Sequence, residues 1–140
     1  MTSFVRMFQD RFAMLVRSRQ KRQTIRRTPK RMPRPGDLLR ARRWTGKPYR
    51  SKQETLIEAT ITRVEWIEIF RQSARIGQGQ TRRQLSIGRD GTEMDAFAQA
   101  DGFEDWEDLC GWFCDNHHLP FYGIVIYWRT DTEGAEYGQD

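Results

Sequence analysis

The chain has 140 residues, of which 37% are hydrophobic and 31% charged, and a formal net charge of +5. One domain accounts for that length, and 12% aromatic residues are enough to build a core. A run of about 18 apolar residues is missing, and charges at Arg6, Asp10 and Arg11 interrupt the first segment, which argues against a membrane span and a secretory leader. We therefore expect a cytoplasmic protein with no membrane partner.

Charge is distributed unevenly along the chain. Residues 1–52 contain 17 Lys and Arg but two acids, whereas residues 94–140 contain 11 acids and one Arg. Some basic residues of the first segment must neutralise acidic residues of the last segment in the folded protein. The positive excess of residues 1–52 is nevertheless larger than the negative excess of residues 94–140. Arg dominates it, and the planar guanidinium matches the geometry of phosphate. The pattern predicts a nucleic-acid or nucleotide partner.

The first third of the chain predicts a strand, a helix and a second strand. Residues 2–7 are typical of a short strand, and apolar residues then recur with helical spacing from Phe8 to Val16. The next strand is predicted near residues 23–27. Residues 28–35 contain three prolines among basic residues, which indicates an extended loop.

The middle of the chain predicts two strands joined by a basic loop. A Pro-Gly-Asp turn at residues 35–37 precedes a strand over residues 38–42. Residues 44–52 form a loop that mixes aromatic rings with cations. A long strand is predicted over residues 55–70, and a change in its apolar phase predicts a bulge near Thr62.

The last third predicts two short helices and a closing strand. Residues 71–84 have little apolar content, which favours a loop or hairpin tip. Capping patterns and apolar spacing predict a helix that begins at Thr92, runs through Ala98 and is stopped by Asp101-Gly102, and a second helix over residues 105–113. Residues 121–128 are apolar on both alternating faces, as in a central strand, and the acidic residues 130–140 predict a disordered tail.

The chain has Lys21, Thr24 and Arg26 in a Lys-x-x-Thr-x-Arg segment, a Pro-Gly-Asp turn at residues 35–37 and an Asp-Gly-Phe segment at residues 101–103. These motifs and the order of the elements resemble the ASCH domain family. Residues 21–26 resemble its Lys-x-x-Thr-x-Arg signature, and residues 35–37 resemble its Gly-Asp turn. Residues 98–103 and 120–128 resemble its C-terminal helix and strand. The loop over residues 44–49 is similar to that of the branch found in phages and their bacterial hosts.

The resemblance covers residues 4–128 and implies a particular fold. This is an α+β fold, a PUA-like mixed β-barrel with an N-terminal helix and two short helices before the last strand. A single ASCH-like domain would then occupy residues 1–129, followed by the acidic tail over residues 130–140.

The resemblance also implies a cleft for RNA or nucleosides and, in some members, hydrolysis of the amide of N4-acylated cytidine. Those hydrolases use a Lys, a Thr and an acidic residue, and the matching positions here are Lys21, Thr24 and Asp101. Thr24 would supply the nucleophile. Lys21 would act as the base, with its pKa lowered by neighbouring arginines, and Asp101 would orient the water or the lysine.

The spacing of these three residues sets a geometric condition. Residues three apart on a strand point to opposite faces, so Lys21 must lie in the turn before the strand to meet Thr24. Asp101 stands where the hydrolases have Glu, and Arg19 stands where the family often has Gly. Alternatively, Lys21 is an exposed cation, Thr24 an ordinary strand residue and Asp101 the residue before a helix-stopping Gly. A site kept only for binding is also consistent with these departures.

The predicted nucleic-acid contacts are basic and aromatic residues of the first fifty positions. They are Arg22, Arg26, Arg27, Arg43, Trp44, Lys47, Tyr49 and Arg50. Trp44 and Tyr49 could stack a base while the cations hold phosphates. Alternatively, the loop folds over the barrel with Trp44 in the core.

Four residues near the C-terminus could in principle ligate zinc. Cys110, Cys114, His117 and His118 form a C-x3-C-x2-H-H cluster. Structural zinc sites prefer tighter spacings, and Cys110 fits the apolar stripe of a helix, so we predict no metal and no cofactor.

A second function from another class is consistent with the same sequence. The acidic C-terminal half could bind a protein, as in a non-enzymatic phage or prophage factor. The partner is therefore RNA, a nucleoside or a nucleotide in the first hypothesis and a protein in the second.

Overall fold

The structure, a computed structural model, describes residues 1–78, 83–85 and 92–130 and confirms the α+β class. Its strands are β1 (Ser3–Met7), β2 (Gln23–Arg27), β3 (Leu38–Trp44), β4 (Gln53–Phe70), β5 (Ser73–Gly77), β6 (Arg83–Leu85) and β7 (Phe121–Thr130). Its helices are α1 (Asp10–Arg17), α2 (Thr92–Ala100) and α3 (Trp106–Asn116). None of these helices is long and apolar enough to cross a bilayer. Beyond Thr130, the predicted tail lies outside the described residues.

The strands pair in a mixed sheet. β1 lies parallel to β3, whereas the β3–β4, β4–β5 and β5–β6 pairs are antiparallel. β7 pairs with β2 and with β4. Among the described strands, the order in the sheet is β1-β3-β4-β5-β6, and the two end strands, β1 and β6, do not pair with each other. The mixed sheet is therefore confirmed, but its closure into a barrel is not.

Two compact units divide the chain, and both use parts of β4 and β7. Among the described residues, the first unit comprises residues 1–22, 33–63 and 127–130. The second comprises residues 23–32 and 64–126. Each unit is built from segments that are far apart in the sequence. The predicted single domain over residues 1–129 remains a prediction.

The core of the first unit begins with one face of α1. Phe12, Ala13 and Val16 are buried, as the helical spacing of the apolar residues predicts. Asp10 lies in the first turn of the helix and Arg17 in the last, and both charges complement the helix dipole. The helix therefore forms where the sequence pattern places it.

Strands β1, β3 and β4 add alternate apolar residues to the same core. Leu39 and Ala41 are fully buried, and Leu39 pairs with Phe4 of β1 and with Ala59 of β4. The register between β3 and β4 shifts after Ala41, which leaves Leu56 as an extra residue on β4. Leu56 is buried, so the bulge keeps an apolar side chain in the core.

The register shift of the β3–β4 pair lies elsewhere than the bulge predicted near Thr62. From Ala59 to Ile69, the buried residues of β4 keep to odd-numbered positions, as in an uninterrupted strand. The change of apolar phase that suggested a bulge comes from Val64 and Trp66, which are only half-buried. The prediction treated Val64 and Trp66 as core residues, whereas they lie on the less covered face of β4.

The predicted Pro-Gly-Asp turn anchors the start of β3. Gly36 has φ = +96°, a conformation that suits a residue without Cβ, and its N–H donates to the carbonyl of Ile61 over 2.7 Å. The carboxylate of Asp37 accepts hydrogen bonds from the backbone N–H groups of Thr2 (3.1 Å) and Arg34 (2.9 Å). One side chain therefore joins the start of β1 to this turn.

In the second unit, part of the segment predicted as a loop forms a strand. β5 follows β4 after a two-residue turn and pairs with it, Trp66 lying opposite Gly77. Ala74 and Ile76 alternate with polar neighbours and are buried. The prediction for residues 71–84 was wrong here, because two apolar residues at alternate positions suffice for a short strand when a partner strand supplies the pairing.

Helices α2 and α3 end and begin at the predicted residues. Gly102, with φ = +99°, stops α2, and the N–H of Phe103 donates to the carbonyl of Ala98 over 2.9 Å. Asp105 caps α3 by accepting a hydrogen bond from the N–H of Asp108 over 2.8 Å. Local polar signals thus determine both boundaries.

Candidate nucleic-acid interface

The β3–β4 hairpin of the first unit ends in a loop of aromatic and basic residues, which we call the basic hairpin tip (residues 44–52). The N–H and the hydroxyl of Thr45 both donate to the carbonyl of Lys52, each over 2.9 Å. The hydroxyl of Ser51 accepts from the N–H of Gly46 over 2.9 Å and donates to a backbone carbonyl over 2.8 Å. These bonds close the loop on itself and give it a defined shape.

Tyr49 lies in the turn at the end of this loop, in a conformation that bulky residues rarely adopt. The N–H of Arg50 donates to the carbonyl of Lys47 over 3.1 Å, with Pro48 second in the turn and Tyr49 third, at φ = +64°. This arrangement is that of a type II turn, whose third position is normally Gly or Asn. A bulky residue there costs about 1–3 kcal/mol. The turn also leaves the Tyr49 side chain 88% exposed.

Trp44 forms an aromatic pair with Tyr49. The ring centroids lie 5.1 Å apart, and the ring planes are tilted by 50°. Trp44 is the last residue of β3, lies opposite Gln53 of β4 and is half-buried. The structure therefore places the Trp44 ring at the surface of the hairpin and leaves the Tyr49 ring open to solvent.

Ion pairs hold the base of the hairpin. The carboxylate of Glu54 accepts hydrogen bonds from Arg17 of α1 and from Arg43 of β3, the latter over 3.0 Å. Arg43 also lies 3.4 Å from the carboxylate of Asp10. The hydrogen bond from Arg17 and the two positive charges hold the pKa of Glu54 below its usual value. Charged contacts thus join the hairpin to α1.

The cations of the basic hairpin tip differ from Arg43 in their exposure and in their ion pairing. Lys47, Arg50 and Lys52 are exposed. None of the ion pairs formed within residues 1–78, 83–85 and 92–130 includes them. Of the predicted basic contacts in this hairpin, Lys47 and Arg50 are therefore open to solvent, while Arg43 has a structural partner.

Lys21 lies in the turn after α1 and is 3% exposed. Its N–H donates to the carbonyl of Leu15 over 2.9 Å, and its Nζ lies 5.1 Å from the centroid of the Phe12 ring. Arg19, at φ = +67°, makes the turn and donates from Nε to the hydroxyl of Thr130 over 3.2 Å. Lys21 precedes β2, as the spacing argument requires, and it is not an exposed cation.

In the second unit, Thr24 and Asp101 are 4% and 3% exposed. The carboxylate of Asp101 accepts a hydrogen bond from Nε2 of Gln23 over 3.2 Å, and the hydroxyl of Thr24 accepts one from Nε of Arg26 over 3.1 Å. Side chains alternate along a strand, so Gln23 and Thr24 point to opposite faces of β2. The hydrogen bond to Asp101 therefore comes from the face opposite to Thr24.

The predicted catalytic trio is distributed between the two units. Lys21 belongs to the first unit, and Thr24 and Asp101 belong to the second. All three side chains are buried, but their action as one catalytic site remains a prediction. The predicted set missed Gln23, which is 6% exposed. The sequence carries no signal for it, because the burial of β2 on both faces depends on segments that are distant in the chain.

The remaining predicted contacts lie around β2. Arg22 and Arg27 are exposed and Arg26 is half-buried. Nε of Arg27 donates to Nδ1 of His117 over 3.2 Å, which requires that Nδ1 carry no proton. Partial burial and the positive charges of Arg27, Arg26 and His118 lower the pKa of His117 below 6.5. The sequence gives no sign of this pairing of Arg27 with His117, because the two residues are 90 positions apart.

The two cysteines are free thiols in different environments. Sγ of Cys110 lies 3.3 Å from the carbonyl oxygen of Arg71, and burial raises the pKa of its thiol to about 11. Cys114 is exposed on the same helix. Within the part of the chain that the structure describes, no group of three or more His, Cys, Asp or Glu side chains could hold a metal ion. Because its pKa is raised, the thiol of Cys110 is protonated at neutral pH and is a poor metal ligand.

Comparisons with protein-family models, with curated proteins and with solved structures found no match to this chain. The likeness to the ASCH family therefore depends on the sequence motifs alone, such as the Lys-x-x-Thr-x-Arg segment at residues 21–26.

Proposed function

We propose that the protein binds RNA or a nucleotide through exposed basic residues of its first unit, on a PUA-like fold of the ASCH type. One observation carries this proposal, the unequal pairing of charges around the β3–β4 hairpin. The acids at its base, Asp10 and Glu54, are engaged by arginines of the framework. The cations of the basic hairpin tip have no acidic partner among the described residues.

Phosphate groups suit this arrangement of charges. A cation that is already paired gains little from a phosphate, whereas an exposed cation gains a direct contact and releases counterions from the nucleic acid. Arg34 is exposed elsewhere in the first unit, and Lys30 is exposed in the second. Both units therefore offer side chains that can contact a polyanion.

The salt dependence of RNA binding tests the proposal. We expect the association constant for a labelled single-stranded RNA, measured by fluorescence anisotropy, to fall steeply between low and physiological salt. Each phosphate neutralised on a single strand contributes about −0.7 to the slope of log K against log salt. An affinity that is indifferent to salt would remove the proposal.

A paired set of variants assigns the effect to the hairpin. Replacing both Lys47 and Arg50 by Gln should reduce the magnitude of the salt slope by about 1.4, because two phosphate contacts are lost. Arg75→Gln is the matched control, since Arg75 is also exposed but lies 3.8 Å from the carboxylate of Glu68 in the second unit. If the double variant had the same salt slope as the unaltered protein, the hairpin would have no role in phosphate binding.

Hydrolysis of an acylated cytidine is a second candidate activity. The observation that favours it is that Lys21, Thr24 and Asp101, the three residues that match the hydrolase positions, are all buried polar side chains, as acid, base and nucleophile groups of active sites often are. Water would be added across the amide, releasing cytidine and the carboxylic acid. Thr24 would attack the amide carbonyl, and Lys21 would take its proton and pass it to the departing amine of cytidine. Asp101 would orient the water that then hydrolyses the acyl ester of Thr24 and releases the carboxylic acid.

Release of cytidine from N4-acetylcytidine tests this activity. Chromatography should show cytidine with the unaltered protein, and the Thr24→Val variant, which keeps the volume but lacks the hydroxyl, should release none. Circular dichroism would verify that the variant is folded. If no cytidine forms at any pH, only the binding function is left.

Binding to a protein is the alternative from another class. A pull-down from nuclease-treated lysate that recovers one defined protein, together with RNA binding that is insensitive to salt, would favour that alternative over the proposed function. Loss of all captured material after nuclease treatment would support the RNA partner.

A further inference from the structure

The basic hairpin tip differs from an ordinary basic surface in one respect, because a ring stands among its cations. Tyr49 is 88% exposed and is one of the most exposed large apolar side chains of the described residues. A left-handed residue at a turn is normally Gly or Asn, and neither has a ring. The turn thus presents an aromatic ring that contacts Trp44 and is still largely open to solvent.

Several contacts hold the loop beneath this ring. Trp44 contacts Tyr49 from the strand end, with ring centroids 5.1 Å apart. The loop is closed by hydrogen bonds of Thr45 and Ser51, and the contacts of Arg43 and Glu54 hold its base. An aromatic ring on a rigid loop binds a flat partner with little loss of conformational entropy.

We propose that the basic hairpin tip binds unpaired nucleotides of single-stranded RNA by stacking one base on the exposed ring of Tyr49. This inference rests on the proposed function and names the form of RNA that the tip takes. In a duplex, neighbouring bases cover each base face, so only an unpaired base can offer its face to a side chain. Lys47, Arg50 and Lys52 then contact the phosphates beside the stacked base.

The tip should not distinguish uracil from adenine. Sequence recognition requires polar side chains that can bond to base edges. The hydroxyls of Thr45 and Ser51 are both engaged within the loop, at 2.9 Å and 2.8 Å from backbone carbonyls. The ring of Tyr49 can stack on any base, and the cations Lys47, Arg50 and Lys52 can bond to the paired acceptors of a guanine edge, which uracil and adenine both lack. Oligouridylate and oligoadenylate should therefore bind with affinities within about tenfold of each other.

Binding of single strands and duplexes by a Tyr49 variant tests the inference. Labelled RNA of about 10 nucleotides is used as a single strand and as a duplex, because this length is in the range of single-strand binding sites. The Tyr49→Asn variant should bind the single strand about tenfold more weakly, the usual effect of losing one stacked base, and should bind the duplex with little change. Asn suits the left-handed conformation, so the turn itself is retained.

Two further variants sharpen this test. Tyr49→Phe keeps the ring and should keep the preference for the single strand. Tyr122→Asn is the matched control, because Tyr122 is also exposed, at 58%, but lies outside the tip on β7. This control should bind the single strand as the unaltered protein does.

The outcomes separate this inference from the proposed function. Salt-dependent RNA binding without a preference for single strands, or with no loss in Tyr49→Asn, would overturn the stacking inference and leave the proposed function standing. Salt-independent or absent RNA binding would overturn both. A loss of single-strand affinity in Tyr49→Asn, with the duplex affinity preserved, supports both.

Discussion

The basic hairpin tip and the polar residues at β2 show opposite ways of placing polar groups in one chain. In the tip, cations and a tyrosine face solvent, and the backbone carries the cost of an unusual conformation at Tyr49. At β2, Gln23, Thr24 and Asp101 are almost fully buried, and hydrogen bonds compensate their lost hydration. The tip can therefore change its side chains without loss of the fold, whereas the residues at β2 cannot.

The largest expected effect comes from crowding β2. Gly123 of β7 lies so close to this strand that an added Cβ would be 2.2 Å from the carbonyl oxygen of Arg26 and 2.8 Å from the ring of Phe121. Because the first of these is a backbone atom, the strands must separate. We expect Gly123→Ala to lower the free energy of unfolding by about 3 kcal/mol, measured by urea denaturation.

A second glycine provides the control for this experiment. Gly111 is on α3, and an added Cβ would meet nothing within 4 Å. Gly111→Ala should therefore raise stability by about 0.5–1 kcal/mol through the unfolded state. An unchanged urea midpoint in Gly123→Ala would show that β2 is more adaptable than the structure indicates.

The next effect concerns the carboxylate of Asp101. Asp101→Ala leaves the buried amide of Gln23 without this acceptor, so we expect a loss of about 2 kcal/mol in the free energy of unfolding. Asp101→Asn keeps an acceptor oxygen at the same position and should lose less. If the two variants unfolded at the same urea concentration, the hydrogen bond would not be the source of the stability.

A smaller effect is expected from the titration of His117. Its pKa in the folded protein is below 6.5, chiefly through burial and then through Arg27, Arg26 and His118. His117 therefore binds a proton more readily in the unfolded state than in the folded state. The stability that the folded protein gains while His117 is neutral is complete above pH 6.5 and is lost as the pH falls through the folded pKa. Thermal unfolding at several pH values should show a decrease below pH 6.5 that is reduced in His117→Gln. A decrease of the same size in that variant would assign it to other groups.

The smallest effect on stability is expected at the tip itself. Tyr49→Asn removes a ring contact worth about 0.5–1.5 kcal/mol but also relieves the strain of a bulky residue in the left-handed conformation. These terms oppose each other, so we expect the free energy of unfolding to change by less than about 1 kcal/mol. A change as large as that of Asp101→Ala would erase the contrast between the two regions.

Local signals predicted most of the secondary structure. The stripe of α1, the Pro-Gly-Asp turn and the ends of α2 and α3 depend on neighbouring residues, so the sequence shows them directly. The strand β5 was missed because its stability comes from pairing with β4, and two alternating apolar residues give a weak signal alone. The bulge was misplaced because exposure on one face of β4 cannot be inferred from residue type.

The amino-acid sequence by itself determined the α+β class, the uneven charge and the residues that compose the basic hairpin tip, because each depends on composition or on spacing along the chain. Tertiary structure alone decided that Lys21 is buried, that Gln23 bonds to Asp101, and that Tyr49 is exposed at a left-handed turn. These properties depend on what the other segments bring to each residue. Pairing and burial are set by contacts between distant parts of the chain, and such contacts leave little trace in the local pattern.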